Sequence, residues 1–238
     1  MIDPWKDRLP LLRSNLTTLR EVAVSDVHTL FTLFSDPAVT AYMAPPPPTL
    51  AKFAGFVEWS HQQRAKGRGV CFGIVPDGMS AAVGILQVRL DPDPSTEAEW
   101  GFVLSSHFWS TGVFFDAANA LLDFAFTAMH VERLEARIAL RNGRAQAAVQ
   151  KLGARFETTL PDTSPVGIPR DPESVWTMRE HDWRNPAREA RVSRVSREDA
   201  AQRIRTAVEA AESELRRSDA PETVEPYPLF LFDRRRRE

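Results

Sequence analysis

Residues 97–104 have the sequence EAEWGFVL, and residues 107–126 continue with HFWSTGVFFDAANALLDFAF. Alternating apolar residues in the first segment predict a strand, and the second segment, apolar except for one narrow stripe, predicts a covered helix over 112–129. A helix that begins directly after a strand presents unpaired N–H groups to an anion at its start. The order of the two segments therefore makes a phosphate-bearing cofactor the first hypothesis.

The rest of the chain predicts further strands and helices on either side of these two segments. The sequence VERLEARIALRNGRAQAAVQKLGARFE, which follows at 131–157, predicts a half-buried strand and then a helix over 143–152 that ends at Gly153. Further helices are expected from a cap at Ser25 or Asp26 to about 34, within 35–43, over 50–66 and over 196–217. Strands are expected near 16–23, 70–75, 81–90, 97–104, 134–140, 154–160 and 174–182. Prolines predict an extended connector at 45–48 and a loop at 161–172.

Composition and charge narrow the classes of protein. A length of 238 residues, 43% of them hydrophobic, suits one large domain or one domain with an appendage, and the formal net charge of −2 calls for neither a nucleic-acid nor a membrane partner. Cys71 is the sole cysteine, which excludes an intrachain disulfide and a multi-cysteine metal site. It lies in the apolar run GVCFGIV and is expected to be a buried thiol. The histidines show no metal-binding spacing, and no signal peptide or 18-residue apolar run is found, so we expect a metal-free cytoplasmic protein.

The character of the chain changes after Trp183, which predicts a domain over 1–183 and an extension over 184–238. The extension comprises a polar linker, one helix that Ser196 caps, and the tail PYPLFLFDRRRRE. The apolar stripe of that helix is thin, so the helix is expected to be marginal by itself. We expect the tail to dock on a partner or on a second copy of the chain, forming a homodimer, rather than to bind RNA.

Several segments, taken in order, resemble the GNAT (GCN5-related N-acetyltransferase) superfamily. They are similar above all to its RimJ/RimL branch, which acetylates N-terminal amines of ribosomal proteins. The resemblance spans about residues 14–183 and implies a mixed, mostly antiparallel seven-stranded sheet with splayed central strands and flanking helices. The segments that carry it are LTTLREV (16–22), SDPAVTAYM (35–43), AEWGFVL (98–104), LLDFAF (121–126), RLEARIALRN (133–142) and KLGARFE (151–157). Trp109 and Gly112, which lie between AEWGFVL and LLDFAF, also match the pattern.

The resemblance implies acetyl-CoA as cosubstrate, bound in the cleft between the splayed strands. Its pantetheine arm would run along Phe102, Val103 and Leu104. Its pyrophosphate would lie on the turn formed by Trp109, Ser110, Thr111, Gly112, Val113 and Phe114, where glycine tolerates positive φ. Asn142 would bond the pantetheine arm, cap the helix at 143, or do both. Lys151 and Arg144 are either contacts to the nucleotide phosphates or solvated helix charges.

The same resemblance implies a catalytic base. An alkylammonium with a pKa of about 10 is protonated at neutral pH, so the amine must lose a proton before it attacks. Glu99 matches the strand glutamate that takes this proton in similar enzymes, and Glu97, on the same face, is the reserve. Backbone N–H groups near Val103 would stabilise the developing oxyanion. His107 is expected to be a partly exposed loop residue, with contact to an entering substrate as the alternative.

Three positions depart from the family pattern. Phe114 replaces a small residue in the turn, Ala145 a serine, and Val149 the tyrosine that serves as general acid. The resulting prediction is an acetyl-CoA-dependent N-acetyltransferase acting on a primary amine, most of all a protein N-terminus of the ribosomal type. A small-molecule amine, from an antibiotic or metabolite, is the alternative acceptor. A degenerate domain that binds CoA or a partner without catalysis is the alternative of another class.

Overall fold

The computed structural model describes residues 3–43, 46–90, 96–161, 172–184 and 197–217. Parts of several expected features lie outside these residues. They are the start of the proline connector at Pro45, most of the proline-rich loop at 161–172, the linker after Arg184 with the Ser196 cap, and the tail from 218. The expected docking of the tail on a partner or second copy therefore stays a prediction.

The strands within the described residues are β1 Leu12–Arg13, β2 Thr17–Glu21, β3 Gly69–Pro76, β4 Gly84–Leu90, β5 Glu97–Leu104, β6 Arg133–Ala139, β7 Arg155–Leu160 and β8 Glu173–Arg179. These eight strands form one sheet in the order β1-β2-β3-β4-β5-β6-β8-β7, antiparallel except for the β5–β6 pair. The expected mixed, mostly antiparallel sheet is confirmed. It has one strand more than expected, because the two-residue strand β1 is too short to show alternation in the sequence and was not predicted. The last strand ends at Arg179, so the expectation that it continues to 182 was wrong.

Helices cover both faces of the sheet. Cys71 and Phe72 are successive residues of β3 and so face opposite sides. Phe72 meets Phe124 of α5 edge to face at 5.4 Å, whereas the Cys71 thiol lies against Ser60 of α4. The helices are α1 Pro4–Asp7, α2 Val27–Leu33, α3 Pro37–Thr40, α4 Leu50–Ala65, α5 Val113–Thr127, α6 Gly143–Leu152, α7 Glu180–Trp183 and α8 Arg197–Arg217, with 3₁₀ turns at Val24–Asp26 and Ser106–Phe108.

Asp26 does not cap α2 through its side chain, so that part of the sequence prediction was wrong. The carboxylate is fully buried and accepts hydrogen bonds from Arg20 at 2.6 and 2.7 Å and from the N–H groups of Ala23 and Ala82. Burial would raise the pKa of Asp26, but these hydrogen bonds outweigh it and lower the pKa. Asp26 thereby ties β2, the start of α2 and the loop before β4 together.

The two central strands separate after three residue pairs. β5 and β6 pair in parallel at Glu97 with Arg133, Ala98 with Leu134 and Glu99 with Glu135. Beyond this point β5 continues against β4 and β6 against β8. The expected splay is therefore present, and it exposes the edge of β5 from Gly101 to Leu104 toward β6.

The α8 helix packs on the domain. Its apolar stripe, which includes Ala200, Ile204, Ala207 and Ala211, is buried against α2 and the 3₁₀ turn at 106–108. This packing supplies the stability that so thin a stripe cannot provide to an isolated helix. Within the ranges described above, no helix is both long and apolar enough to cross a bilayer.

Candidate functional site

The turn between β5 and α5 has the backbone conformation of an anion site. Ser110 has φ 61° and Gly112 has φ 97°, and a Cβ on Gly112 would meet the Leu16 Cδ1 atom at 3.4 Å. Between them, the buried Thr111 hydroxyl donates to the Phe108 carbonyl at 2.7 Å and accepts from the Val113 N–H at 3.3 Å. Alternating handedness of this kind turns successive N–H groups toward one side of the turn.

The first N–H groups of α5 complete this concave surface. In an α-helix the first amides have no intrahelical acceptor, and here the helical ladder begins with Asp116 N–H on the Gly112 carbonyl at 3.0 Å. The Val113 N–H has the Thr111 hydroxyl as its acceptor, so the N–H groups of Phe114 and Phe115 are the ones that point out of the helix end. They lie where the helix dipole is positive, which favours a bound anion.

Asp116 connects the start of α5 to the β1–β2 connection, a role that was not predicted from the sequence. Its carboxylate accepts four hydrogen bonds from the β1–β2 connection: the Ser14 hydroxyl at 2.8 Å, the Asn15 N–H at 3.1 Å, the Leu16 N–H at 3.0 Å and the Thr17 hydroxyl at 2.8 Å. An acidic residue in the first turn of a nearly apolar helix was the available signal. The donors lie about 100 residues away in sequence, so their identity could not be inferred.

Trp109 and Arg144 connect the turn with α6. The Trp109 indole donates to the Leu104 carbonyl at 3.0 Å, and the Arg144 guanidinium lies 3.6 Å from the centre of the indole ring. This cation–π contact holds a positive charge across the mouth of the cleft, beside the anion-binding turn. Arg144 is exposed and lies beside the turn, and its contact to the nucleotide phosphates stays a prediction.

Asn142 caps α6, because its side-chain oxygen accepts from the Ala145 N–H at 3.1 Å. Its amide nitrogen is a separate donor, so the cap does not preclude a bond to a molecule in the cleft. Lys151 is exposed in the last turn of α6. It lies on the same face as Arg144, about 10 Å farther along the axis, and the structure does not bring it to the turn.

Phe114 is accommodated without covering the turn. Its ring packs on Phe102 of β5 at 4.7 Å and on Phe115 at 5.7 Å, so the side chain leans on the sheet while its N–H stays at the helix end. Val149 is fully buried in the core and is a packing residue. The side chains of Val103 and Leu104 are also buried.

Glu99 lies at the other end of the β5 edge, at the last residue pair before the strands part. Its half-buried carboxylate is ion-paired with Arg89 of β4. Glu135 stands opposite on β6 and accepts from Arg137 at 2.6 Å. Burial by itself would lower the pKa of Arg137, but the Glu135 hydrogen bond and the nearby charges, Glu99 included, raise it. Glu97, the reserve base, is more exposed and is engaged with Arg133 at 3.0 Å.

The turn also contacts α8. His107, half-buried as expected, lies 2.5 Å from Glu214 between the ring Nε2 and a carboxylate oxygen. Arg203 donates to the Ser110 carbonyl at 3.3 Å. Sequence reasoning could not find these contacts, because both partners belong to the extension. Among the residues with assigned positions, no group of three histidine, cysteine or acidic side chains is placed to hold a metal ion.

Residues 17–155 match the family model of the acetyltransferase (GNAT) domain. A Bacillus licheniformis protein named as an uncharacterized N-acetyltransferase, p20, is 25% identical over 146 residues, which cover 61% of this chain and 82% of that protein.

Two solved structures show the same fold at low identity. Mycobacterium smegmatis RimJ in complex with CoA-disulfide superimposes with a TM-score of 0.64 at 20% identity, covering 82% of this chain and 94% of that one. A GCN5-related N-acetyltransferase from Brucella melitensis superimposes with a TM-score of 0.66 at 15% identity, covering 78% and 86%.

Proposed function

The chain belongs to the GNAT acetyltransferase family, and we propose on this ground that it transfers the acetyl group of acetyl-CoA to a primary amine. One observation carries the proposal: an anion-binding turn and a carboxylate lie at opposite ends of the unpaired edge of β5. The six residues from Glu99 to Leu104 are separated by five steps, which span about 17 Å of strand. A carrier with a phosphate at one end and a thioester at the other fits such a spacing.

The residues of the cleft suit CoA. The amides of Phe114 and Phe115 and the Arg144 guanidinium would hold its pyrophosphate, while the backbone from Phe102 to Leu104 would bond the pantetheine amides as a missing strand would. The Asn142 amide would add a donor near the thiol end, and Lys151 would meet the distal part of the nucleotide. When bound, acetyl-CoA supplies an acetyl group activated as a thioester.

Glu99 is proposed to accept the proton of the attacking amine. The ion pair with Arg89 orients this carboxylate, and a carboxylate beside the cleft also attracts the ammonium form of the acceptor. Val149 cannot donate a proton, yet a thiol with a pKa of about 8.5 leaves without full protonation. The chemistry therefore does not need a tyrosine at this position.

The acceptor is proposed to be a protein N-terminus of the ribosomal type. Support comes from the motif order of the RimJ/RimL branch and from the fold likeness to RimJ. A small-molecule amine is the alternative acceptor, and a cofactor-binding module without catalysis is the alternative function.

CoA binding is the first test. A ligand at 100 times its Kd stabilises the native state by about 2.7 kcal/mol, which for a domain of this size raises Tm by about 5–11 °C. No shift at millimolar CoA or acetyl-CoA would refute the proposal. Thiol release measured with N-terminal peptides and small amines then identifies the acceptor class. Binding without release from any amine would favour the module.

A further inference from the structure

The face of α8 that meets the domain includes two polar residues besides its apolar stripe. Arg203 and Glu214 are separated by 11 residues, which is close to three helical turns, so they share a face with Ala207 and Ala211. This face packs on α2 and on the 3₁₀ turn that precedes the anion-binding turn. All of α8 lies beyond residues 17–155, the part of the chain that matches the family model.

The two polar contacts bracket the start of the anion-binding turn. Glu214 bonds His107 at 2.5 Å, just before the turn, and Arg203 donates to the Ser110 carbonyl at 3.3 Å, within it. Ser110 has φ 61°, a conformation that a non-glycine residue keeps only where its surroundings hold it. The Arg203 contact is therefore placed on the strained peptide of the turn.

Arg203 also contributes charge. A guanidinium has five donors in a planar fork, and its charge persists at all physiological pH values. With one donor on the Ser110 carbonyl, the group stands at the rim of the turn on the α8 side, whereas Arg144 stands on the α6 side. Two guanidiniums from different elements thus contact the segment Trp109–Ser110.

We propose that α8 is part of the CoA site of this protein, with Arg203 as a positioning residue. It holds Ser110 in the left-handed conformation, and its positive charge attracts the diphosphate. This inference rests on the proposed function, since it names a further determinant of affinity for the same cosubstrate. It assigns to the extension a task in cofactor binding that the family domain does not itself supply.

The test is calorimetric titration of CoA into the full chain and its Arg203→Ala, Arg203→Lys and Arg205→Ala variants at 150 mM salt. Arg205→Ala is the matched control, because Arg205 is an exposed arginine of the same helix that bonds only Gln202 among the described residues. Loss of the positive charge beside the diphosphate, together with loss of the support of Ser110, predicts a Kd about tenfold higher for Arg203→Ala. Arg203→Lys should recover part of this loss, and Arg205→Ala should bind as the unsubstituted chain does.

Two further readouts separate positioning from folding. Since Arg203 is exposed, its removal should change Tm by no more than about 2 °C, and KM for acetyl-CoA should rise while kcat at saturation stays the same. Equal affinities of Arg203→Ala and the unsubstituted chain, or equal losses in Arg203→Ala and Arg205→Ala, would overturn this inference alone. An unsubstituted chain that does not bind CoA would overturn the proposed function and this inference with it.

Discussion

Replacement of Asp116 by alanine should destabilise the protein strongly, because four donors of the β1–β2 connection lose their acceptor at once. Ser14 and Asn15 are exposed and can bond water instead. The Thr17 hydroxyl and the Leu16 N–H are buried or partly buried and would be left unsatisfied. At about 1–3 kcal/mol for each such donor, the expected loss is about 4 kcal/mol of unfolding free energy.

Urea denaturation and thermal melting measure this loss. For a chain of this length, about 4 kcal/mol corresponds to a fall in Tm of about 8–16 °C. Asp116→Asn retains one acceptor oxygen and should lose about half as much. Asp123→Ala is the matched control, because Asp123 is an exposed acidic residue of the same helix, and it should change stability by no more than about 0.5 kcal/mol.

Replacement of Asp116 by alanine should also weaken cofactor binding. Leu16, whose N–H bonds Asp116, lies beside Gly112, so loosening the β1–β2 connection should weaken CoA binding as well as the fold. An Asp116→Ala variant whose Tm falls by less than about 2 °C would show that the four hydrogen bonds do not anchor the turn.

Three further predictions concern catalysis, the thiol and acid stability. Glu99→Gln should lower kcat by about 10²–10⁴-fold while CoA still binds; Glu97→Gln is its control, and full activity of Glu99→Gln would remove Glu99 as the base. Burial raises the pKa of Cys71 to about 12, so a thiol reagent should not label the native protein at pH 8; rapid labelling without unfolding would contradict this. The lowered pKa of Asp26 stabilises the fold above the unfolded pKa of about 3.9, and this stability is lost as pH falls through the folded value. In the Asp26→Asn variant the unfolding free energy, measured with urea, should depend less on pH in this acid range. An unchanged pH dependence would refute the role of Asp26.

Local physics accounts for what could be predicted from the amino-acid sequence. Alternation marked β5 and β6 as strands, and the nearly apolar segment 113–127 could only be a covered helix. Gly112 and Asn142 were identified because a left-handed turn and a helix cap each require particular residue types. Two expectations that rested on local signals were wrong. Asp26 bonds Arg20 and the N–H of the distant Ala82 rather than capping α2, and the last strand ends at Arg179, where α7 follows.

The amino-acid sequence by itself determined most of the strands and helices, and its resemblance to a known family supplied the class of fold, the candidate phosphate turn at 109–114 and the candidate base Glu99. Only the tertiary structure decided what surrounds them. Asp116 serves the β1–β2 connection, Arg144 lies on Trp109, and Arg203 of α8 bonds Ser110. These contacts join residues that are 35 to about 100 positions apart, so they depend on how the strands and helices assemble and leave no periodic or local signal in the chain.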